Sequence, residues 1–142
     1  MSGIKIITKN KRAGYDYFLE EKFEAGLVLK GTEVKSIRGG KATMGEAYCT
    51  IDERHEVWVH QLKIPPYEFG TYANHDETRK RKMLLNEHEI KVIEKSLATK
   101  GQTLVPTKLY FKGANVKIEI ALAKGKKLYD KRSAKAEKDV ER

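Results

Sequence analysis

Residues 107–122 read TKLYFKGANVKIEIAL, and this stretch predicts two antiparallel strands joined by a short turn. From 116 to 122, apolar side chains alternate with polar or small ones, so one face of this strand is expected to be buried and the other to meet water. Residues 107–111 are rich in strand-forming side chains, and 112–115 contain the Gly and Asn of a turn. The chain is therefore predicted to build a sheet that is packed on one side.

Other segments carry similar strand signals. Residues 15–19 are rich in strand formers, and 27–29 are a second short apolar run that is expected to continue the same edge of the sheet. Segments 47–51 and 57–62 are separated by a polar stretch and predict a hairpin. Because the start of the chain is polar and basic, the ordered domain is expected to begin near Tyr15.

Two helices are predicted between these strands. Thr32 is suited to an N-cap, and the glycine pair 39–40 ends that short helix. Asn86 with Glu89 three residues later resembles a capping box, and Gly101 supplies the stop after an apolar stripe. Residues 63–82 show little periodicity, and a loop of this length is either functional or contains a missed element.

These elements predict a mainly β fold with flanking α-helices. Five or six antiparallel strands with two or three helices fit an OB-like antiparallel β-barrel, which also removes exposed sheet edges. An open antiparallel sheet with helices on one face is the alternative. Three parts are expected: a polar basic arm at 1–12, an OB-like barrel at 13–123, and a basic C-terminal tail at 124–142.

Composition limits the class of protein. The chain has 142 residues, of which 35% are charged, and a net charge of +9, which indicates one basic domain with extensions. Its apolar runs are too short for a membrane span, and its polar start does not resemble a signal peptide. A cytoplasmic protein without membrane contacts is expected. Cys49 is the single cysteine, which argues against an internal disulfide framework.

The C-terminal tail is the most basic part of the sequence. Residues 124–135 contain six Lys or Arg and one Asp, a pattern that attracts phosphates and loses affinity with salt. On a helical wheel the cations form one stripe, but the tail has almost no apolar face with which to dock. We therefore expect a tail that is disordered when free and helical against a polyanion. A solvated terminus that maintains solubility is the alternative.

Signatures of catalysis are missing from the sequence. The four histidines lack zinc-ligand spacing, and the glycines lack the spacing of a phosphate-binding loop. Glu24 and Glu33 are the candidate acid–base groups, but an exposed strand residue and a helix N-terminal charge are the simpler interpretations. We therefore expect no catalytic residues, no metal and no cofactor. Aromatic residues interleaved with Lys and Arg instead suit stacking on unpaired bases and contacts to phosphates.

Several motifs in order resemble one family. They are the segments NKRA at 10–13, FEAG at 23–26, KGTEVKS at 30–36, NHD at 74–76, RKRKMLL at 79–85, KGKK at 124–127 and YDKR at 129–132. Their succession closely resembles the bacterial SsrA-binding proteins, the small protein B family of trans-translation. The resemblance covers nearly the whole chain from about Asn10.

The resemblance implies a non-enzymatic protein with an OB-like barrel. Such proteins bind the tRNA-like domain of transfer-messenger RNA (tmRNA) and bring it to stalled ribosomes, and they act with elongation factor Tu and alanyl-tRNA synthetase through that RNA. The implied RNA-binding residues are Glu24, Leu84, Lys117, Asn10, Lys11 and Arg12.

The tail would then probe the vacant decoding centre and the mRNA channel. Its implied ribosome-binding residues are Lys124, Gly125, Lys126, Lys127, Tyr129, Asp130, Lys131 and Arg132. Two other classes stay open on the residues alone. One is a structural ribosomal or general RNA-binding protein, and the other is an RNA-processing enzyme.

Overall fold

The computed structural model describes residues 3–67, 74–99 and 101–126. Within these ranges the chain forms seven strands and three helices. In chain order they are β1 (Ile4–Lys9), α1 (Ala13–Asp16), β2 (Tyr17–Leu27), α2 (Gly31–Arg38), β3 (Tyr48–Ile51), β4 (Val57–His60), β5 (Arg81–Leu84), α3 (Glu87–Leu97), β6 (Gln102–Lys112) and β7 (Asn115–Gly125).

All seven strands belong to one antiparallel sheet with the order β1-β6-β7-β2-β5-β4-β3. The sheet curls so that β3 approaches β6, although no hydrogen-bonded ladder joins these two strands in the described part of the chain. The result is a nearly closed barrel. The predicted mainly β fold with flanking helices is confirmed.

The core occupies the inside of the curled sheet. Phe23 and Ala25 of β2 lie beside Ile118 and Ile120 of β7, which is the alternation that the sequence predicted for the last strand. Helices α2 and α3 each contribute a fully buried isoleucine to the same cluster. Apolar burial of this kind is the main favourable term in folding.

The hairpin predicted from residues 107–122 is confirmed and is longer than expected. Strands β6 and β7 pair from Gln102 with Lys124 to Lys112 with Asn115, leaving a two-residue turn. Gly113 has φ of +62° there, a conformation that glycine adopts without steric cost. The extra length packs a second, smaller cluster, which contains the small residues Ala121 and Ala123.

The N-terminus differs from the predicted polar arm. Residues Ile4–Lys9 form β1, which pairs with β6, so ordered structure begins well before Tyr15. Tyr15 itself lies in α1, and β2 is one strand rather than the two predicted segments. The pairing with β6 explains why residues 4–9 are a strand, because the backbone N–H and C=O groups along the edge of β6 need hydrogen-bond partners.

Two local predictions near α2 and β5 also need correction. The N-cap of α2 is Lys30 rather than Thr32, because Thr32 instead hydrogen-bonds through Oγ1 to Nδ1 of His75 at 2.8 Å. The long segment 63–82 did contain a missed element, since β5 begins at Arg81. By contrast, the β3–β4 hairpin and the capping box at the start of α3 are confirmed.

Candidate nucleic-acid interface

Strand register brings distant residues into one row on the outside of the barrel. Gly26 of β2 pairs with Leu84 of β5 on one side and with Lys117 of β7 on the other. Lys117 in turn pairs with Tyr110 of β6. Because directly paired residues of an antiparallel sheet point to the same face, the side chains of this row are neighbours, although they are far apart in sequence.

Gly26 leaves a gap in the middle of this row. A Cβ atom placed on Gly26 would lie 3.5 Å from Cβ of Leu84 and 3.9 Å from Nζ of Lys117, so these two side chains flank the missing one. Leu84 is 52% exposed, which is high for a leucine. A shallow cleft of about 300 Å³ runs along these residues toward the β6–β7 turn.

Glu24 stands two residues before Gly26, on the same face of β2. The hydroxyl of Tyr110 donates to its Oε2 at 2.5 Å, and Nζ of Lys112 lies 3.3 Å from its Oε1. The Tyr110 hydrogen bond lowers the pKa of Glu24; partial burial opposes this effect, and Lys112 and Lys117 add to it. Glu24 is therefore a carboxylate held in one orientation. We call Glu24, Leu84, Tyr110, Lys112 and Lys117 the central face.

The central face combines three kinds of contact in a small area. Leu84 offers apolar surface to a base or sugar, and Lys117 offers an ammonium group that forms no ion pair within the described ranges. Glu24 accepts hydrogen bonds, which suits ribose 2′-hydroxyls and base amino groups but not phosphates. This arrangement fits RNA better than DNA, because the 2′-hydroxyl is the group that distinguishes them.

Of the six sequence-predicted RNA-binding residues, three therefore come together and three lie elsewhere. Asn10 ties the end of β1 to β6, since its Nδ2 donates to the carbonyl of Pro106 at 2.9 Å and its backbone N–H donates to Thr107 at 2.7 Å. Arg12 pairs with Asp16 at 3.4 Å, and Lys11 is exposed. The residue trio 10–12 is thus beside α1 and is not part of the row that contains Leu84 and Lys117.

The predicted ribosome-binding tail is only partly described. Lys124 and Gly125 are the last residues of β7 and pair with Phe18 and Tyr17 of β2, so the barrel extends beyond the predicted boundary at 123. Lys126 follows directly and contacts α1. The remaining residues of the prediction, Lys127, Tyr129, Asp130, Lys131 and Arg132, lie outside the described residues, as does the expected helix.

The sequence analysis did not assign Tyr110 and Lys112 to the central face. The signal that could have found them is the two-residue turn at 113–114, which fixes the register of β6 against β7. The basic run at 79–82 was also ambiguous in sequence. Its Arg81 is fully buried and forms an ion pair with Glu33 in the interior, so it is unavailable to RNA.

Other possible chemistry finds little support in the described part of the chain. No group of three His, Cys, Asp or Glu side chains there could hold a metal ion. His75 is buried and donates from Nε2 to the carbonyl of Ile64 at 2.7 Å, and burial raises the pKa of the Cys49 thiol. None of the helices described has the length and apolarity that crossing a membrane requires.

Comparison with known proteins places the chain in a family. The family model described as SmpB protein matches residues 7–142. An SsrA-binding protein from Nocardioides sp. is 53% identical over 99% of this chain and 87% of its own length. One from Geotalea uraniireducens is 51% identical over 97% and 91%.

A solved structure is similar as well. It is described as "tmRNA-SmpB: a journey to the center of the bacterial ribosome", and one of its chains matches with a TM-score of 0.69 and 45% identity over 84% of both chains. Identity at this level over nearly the full length, together with the shared fold, leaves one conclusion. The chain belongs to the SmpB protein family.

Proposed function

We propose that this protein is a non-enzymatic RNA-binding protein of trans-translation. It binds the tRNA-like domain of tmRNA and delivers that RNA to stalled ribosomes for rescue and peptide tagging. Elongation factor Tu and alanyl-tRNA synthetase are indirect partners through tmRNA, and the site of action is the cytoplasm. The observation that supports this most is the central face: an oriented carboxylate, an ammonium group without an ion pair and an exposed leucine on one side of a barrel whose solved relative is described with tmRNA.

The tail has a separate role in this proposal. The residues that follow the barrel, from 127 onward, probe the vacant decoding centre and the mRNA channel of the ribosome, whereas Lys124 and Gly125 belong to β7. The support is twofold: the family motifs KGKK and YDKR are present in order, and β7 ends at Gly125, so the motif at 129–132 follows a completed barrel.

The identity of the RNA can be tested by recovering the affinity-tagged protein from bacterial lysate and sequencing the RNA that comes with it. One dominant small RNA with a tRNA-like end is the expected result. Ribosomal RNA alone, in amounts equal to the protein, would instead identify a structural ribosomal protein. Degradation of added tmRNA by the purified protein would identify an RNA-processing enzyme.

The central face makes a prediction about single substitutions. Lys117→Ala is expected to weaken tmRNA binding roughly tenfold and to reduce the slope of log affinity against log salt by about 1, as loss of one phosphate contact does. A filter-binding titration at several salt concentrations measures both. Lys95→Ala is the matched control, because Lys95 is exposed on α3. Equal weakening by both variants would mean that only net charge matters.

Two substitutions of Glu24 test whether its hydrogen bond with Tyr110 supports tmRNA binding. Glu24→Ala is expected to weaken binding more than Glu24→Gln, because the glutamine still accepts from the nearly buried Tyr110 hydroxyl while alanine leaves it unpaired. The same titration, at one fixed salt concentration, compares the two. Equal weakening would show that the carboxylate contacts RNA directly and that its bond to Tyr110 is unimportant.

Salt dependence tests the electrostatic share of binding. If about five phosphates are neutralised, raising the salt from about 50 to about 200 mM is expected to weaken tmRNA binding by roughly a few hundredfold, because condensed counterions are released on binding. Titrations of the complete chain at four or more salt concentrations give the slope. A change of less than about tenfold would show that phosphate contacts contribute little.

A further inference from the structure

Lys126, the residue at which the chain leaves the barrel, is held at two separate atoms. Its backbone N–H donates to the carbonyl of Asp16 at 2.8 Å. Its ammonium group donates to the carbonyl of Gly14 at 2.9 Å and lies 4.9 Å from the centroid of the Phe18 ring. Both main chain and side chain of Lys126 are therefore fixed to the segment that contains α1 and the start of β2.

Each of these contacts has a physical reason to form. The last carbonyls of a helix lack intrahelical partners, and Lys126 satisfies two of them in α1. A charge-assisted hydrogen bond is stronger than a neutral one, and an ammonium group over an aromatic face adds a cation–π attraction. Phe18 is 46% exposed, so its ring is open to the ammonium group that lies against it.

The neighbouring pairs show that this end of the barrel is otherwise regular. Tyr17 pairs with Gly125 and Phe18 pairs with Lys124 at the end of the β2–β7 ladder. Beneath them Ala13, Ala121 and Ala123 form part of the smaller core cluster. The contacts of Lys126 thus extend the ordered structure by one residue past the end of β7. They also join α1 to the residue that follows the last strand.

From these contacts we propose that Gly14, Asp16, Phe18 and Lys126 form a tail anchor that sets the direction in which residues from 127 onward leave the barrel. This inference rests on the proposed function, in which those residues contact the ribosome. Lys126 and Phe18 are positioning residues here: they act on the tail that follows, and the ammonium group of Lys126 is engaged within the protein. Fixing the residue at which a segment leaves a domain restricts where that segment can reach, which raises its effective concentration near one target.

The anchor predicts a loss of tagging without a loss of RNA binding. Lys126→Met keeps the lysine stem but removes the ammonium group, and Phe18→Leu keeps an apolar side chain but removes the ring. Each is expected to lower the rate of peptide tagging on stalled ribosomes about tenfold, because each removes one of the attractions that hold the root of the tail. The tmRNA affinity of both variants is expected to stay within about twofold of the unsubstituted protein.

Conservative variants and a charge control complete the experiment. Lys126→Arg and Phe18→Tyr keep the cation and the ring, and both are expected to restore tagging. Lys95→Met removes the same charge from α3, and tagging is expected to be unaffected. Circular dichroism and a thermal melt of every variant check that the barrel remains folded.

The possible outcomes separate the anchor from the proposed function. If the unsubstituted protein binds no tmRNA, the proposed function fails. If it tags normally and both Lys126→Met and Phe18→Leu tag as well as it does, the anchor is wrong. The anchor is also wrong if Lys126→Met loses RNA affinity and tagging together, or if Phe18→Leu has no effect while Lys126→Met does. That last pattern would place Lys126 in direct contact with the ribosome.

Discussion

Glu33→Ala is expected to lower the free energy of unfolding by about 3–5 kcal/mol. Glu33 is fully buried and forms ion pairs with Arg81, which is also fully buried, and with Arg79 at 2.6 Å. Removing one partner of such a pair leaves an uncompensated charge in the interior. Because domains are stable by only about 5–15 kcal/mol, this loss would bring the protein close to unfolding at room temperature. Urea unfolding measures it.

Two comparisons identify the buried charge as the cause. Glu87→Ala is the matched control, because Glu87 pairs with Lys91 at 3.4 Å on the exposed face of α3, and such surface pairs contribute less than about 0.5 kcal/mol. The double variant Glu33→Leu with Arg81→Leu is expected to be more stable than Glu33→Ala. It removes both fully buried charges and leaves Arg79, which is 28% exposed, although the three carbonyls to which Arg81 donates, those of Leu62, Asp76 and Glu77, lose that donor. If Glu33→Ala and Glu87→Ala have the same small effect, the buried pair is not structurally important.

The pH dependence of the Glu33 contribution has a defined sign. Burial by itself raises the pKa of Glu33, but hydrogen bonds from the Lys30 N–H, Arg79 and Arg81 outweigh it, and the pKa lies below its ordinary value of 4.5. A carboxyl with a lowered folded-state pKa stabilises the protein above its unfolded-state pKa and loses that contribution as pH falls through the folded value. The stability difference between the unsubstituted protein and Glu33→Gln is therefore expected to be constant at neutral pH and to shrink below about pH 4.5.

Replacing Asp130, Lys131 and Arg132 together by alanine is expected to abolish peptide tagging and to change tmRNA affinity less than about threefold. The triple change removes a net charge of only +1. The last strand also ends away from the central face: Lys117 and Gly125 are eight residues apart along β7, roughly 26 Å at the rise of an extended strand. A tagging assay on ribosomes stalled at the end of a broken message, run beside a tmRNA titration, measures both quantities.

A second triple variant controls for charge and for tail length. Alanine at Lys135, Glu137 and Lys138 removes the same net charge from the same tail but keeps the motif at 129–132. It is expected to reduce tagging less than the first variant. A parallel loss of RNA affinity and tagging in the Asp130–Arg132 variant would contradict the separation of the two roles.

The fold was largely predictable where local signals were strong. The alternation in β7 fixed which of its side chains face the core, and the Asn86–Glu89 capping box placed the start of α3. The β1 strand was not predicted, although three isoleucines and a threonine among its six residues favour a strand, because the basic residues around them resemble a polar arm. Local signals failed for β5, a strand of four residues in which Arg81 occupies an interior position.

The candidate site also contains residues that could be predicted from the sequence and residues that could not. Glu24, Leu84 and Lys117 were found through motifs that resemble a family, and the fold brings them together. Composition could not distinguish Arg81, which is buried against Glu33, from Lys82 beside it, which is partly exposed. Whether a cation faces water or the core depends on a carboxylate 48 residues away in sequence, and no local pattern encodes that partner.

By itself, the sequence determined the class of fold, the faces of its last hairpin, the basic character of its tail and the family to which it belongs. These properties depend on side-chain periodicity, charge and motif order, which are written in short stretches of chain. The tertiary structure alone decided that Gly26 lies between Leu84 and Lys117, that Tyr110 and Lys112 orient Glu24, and that Lys126 is fixed to α1. Strand register and burial decide those contacts, because they depend on which distant segments pair.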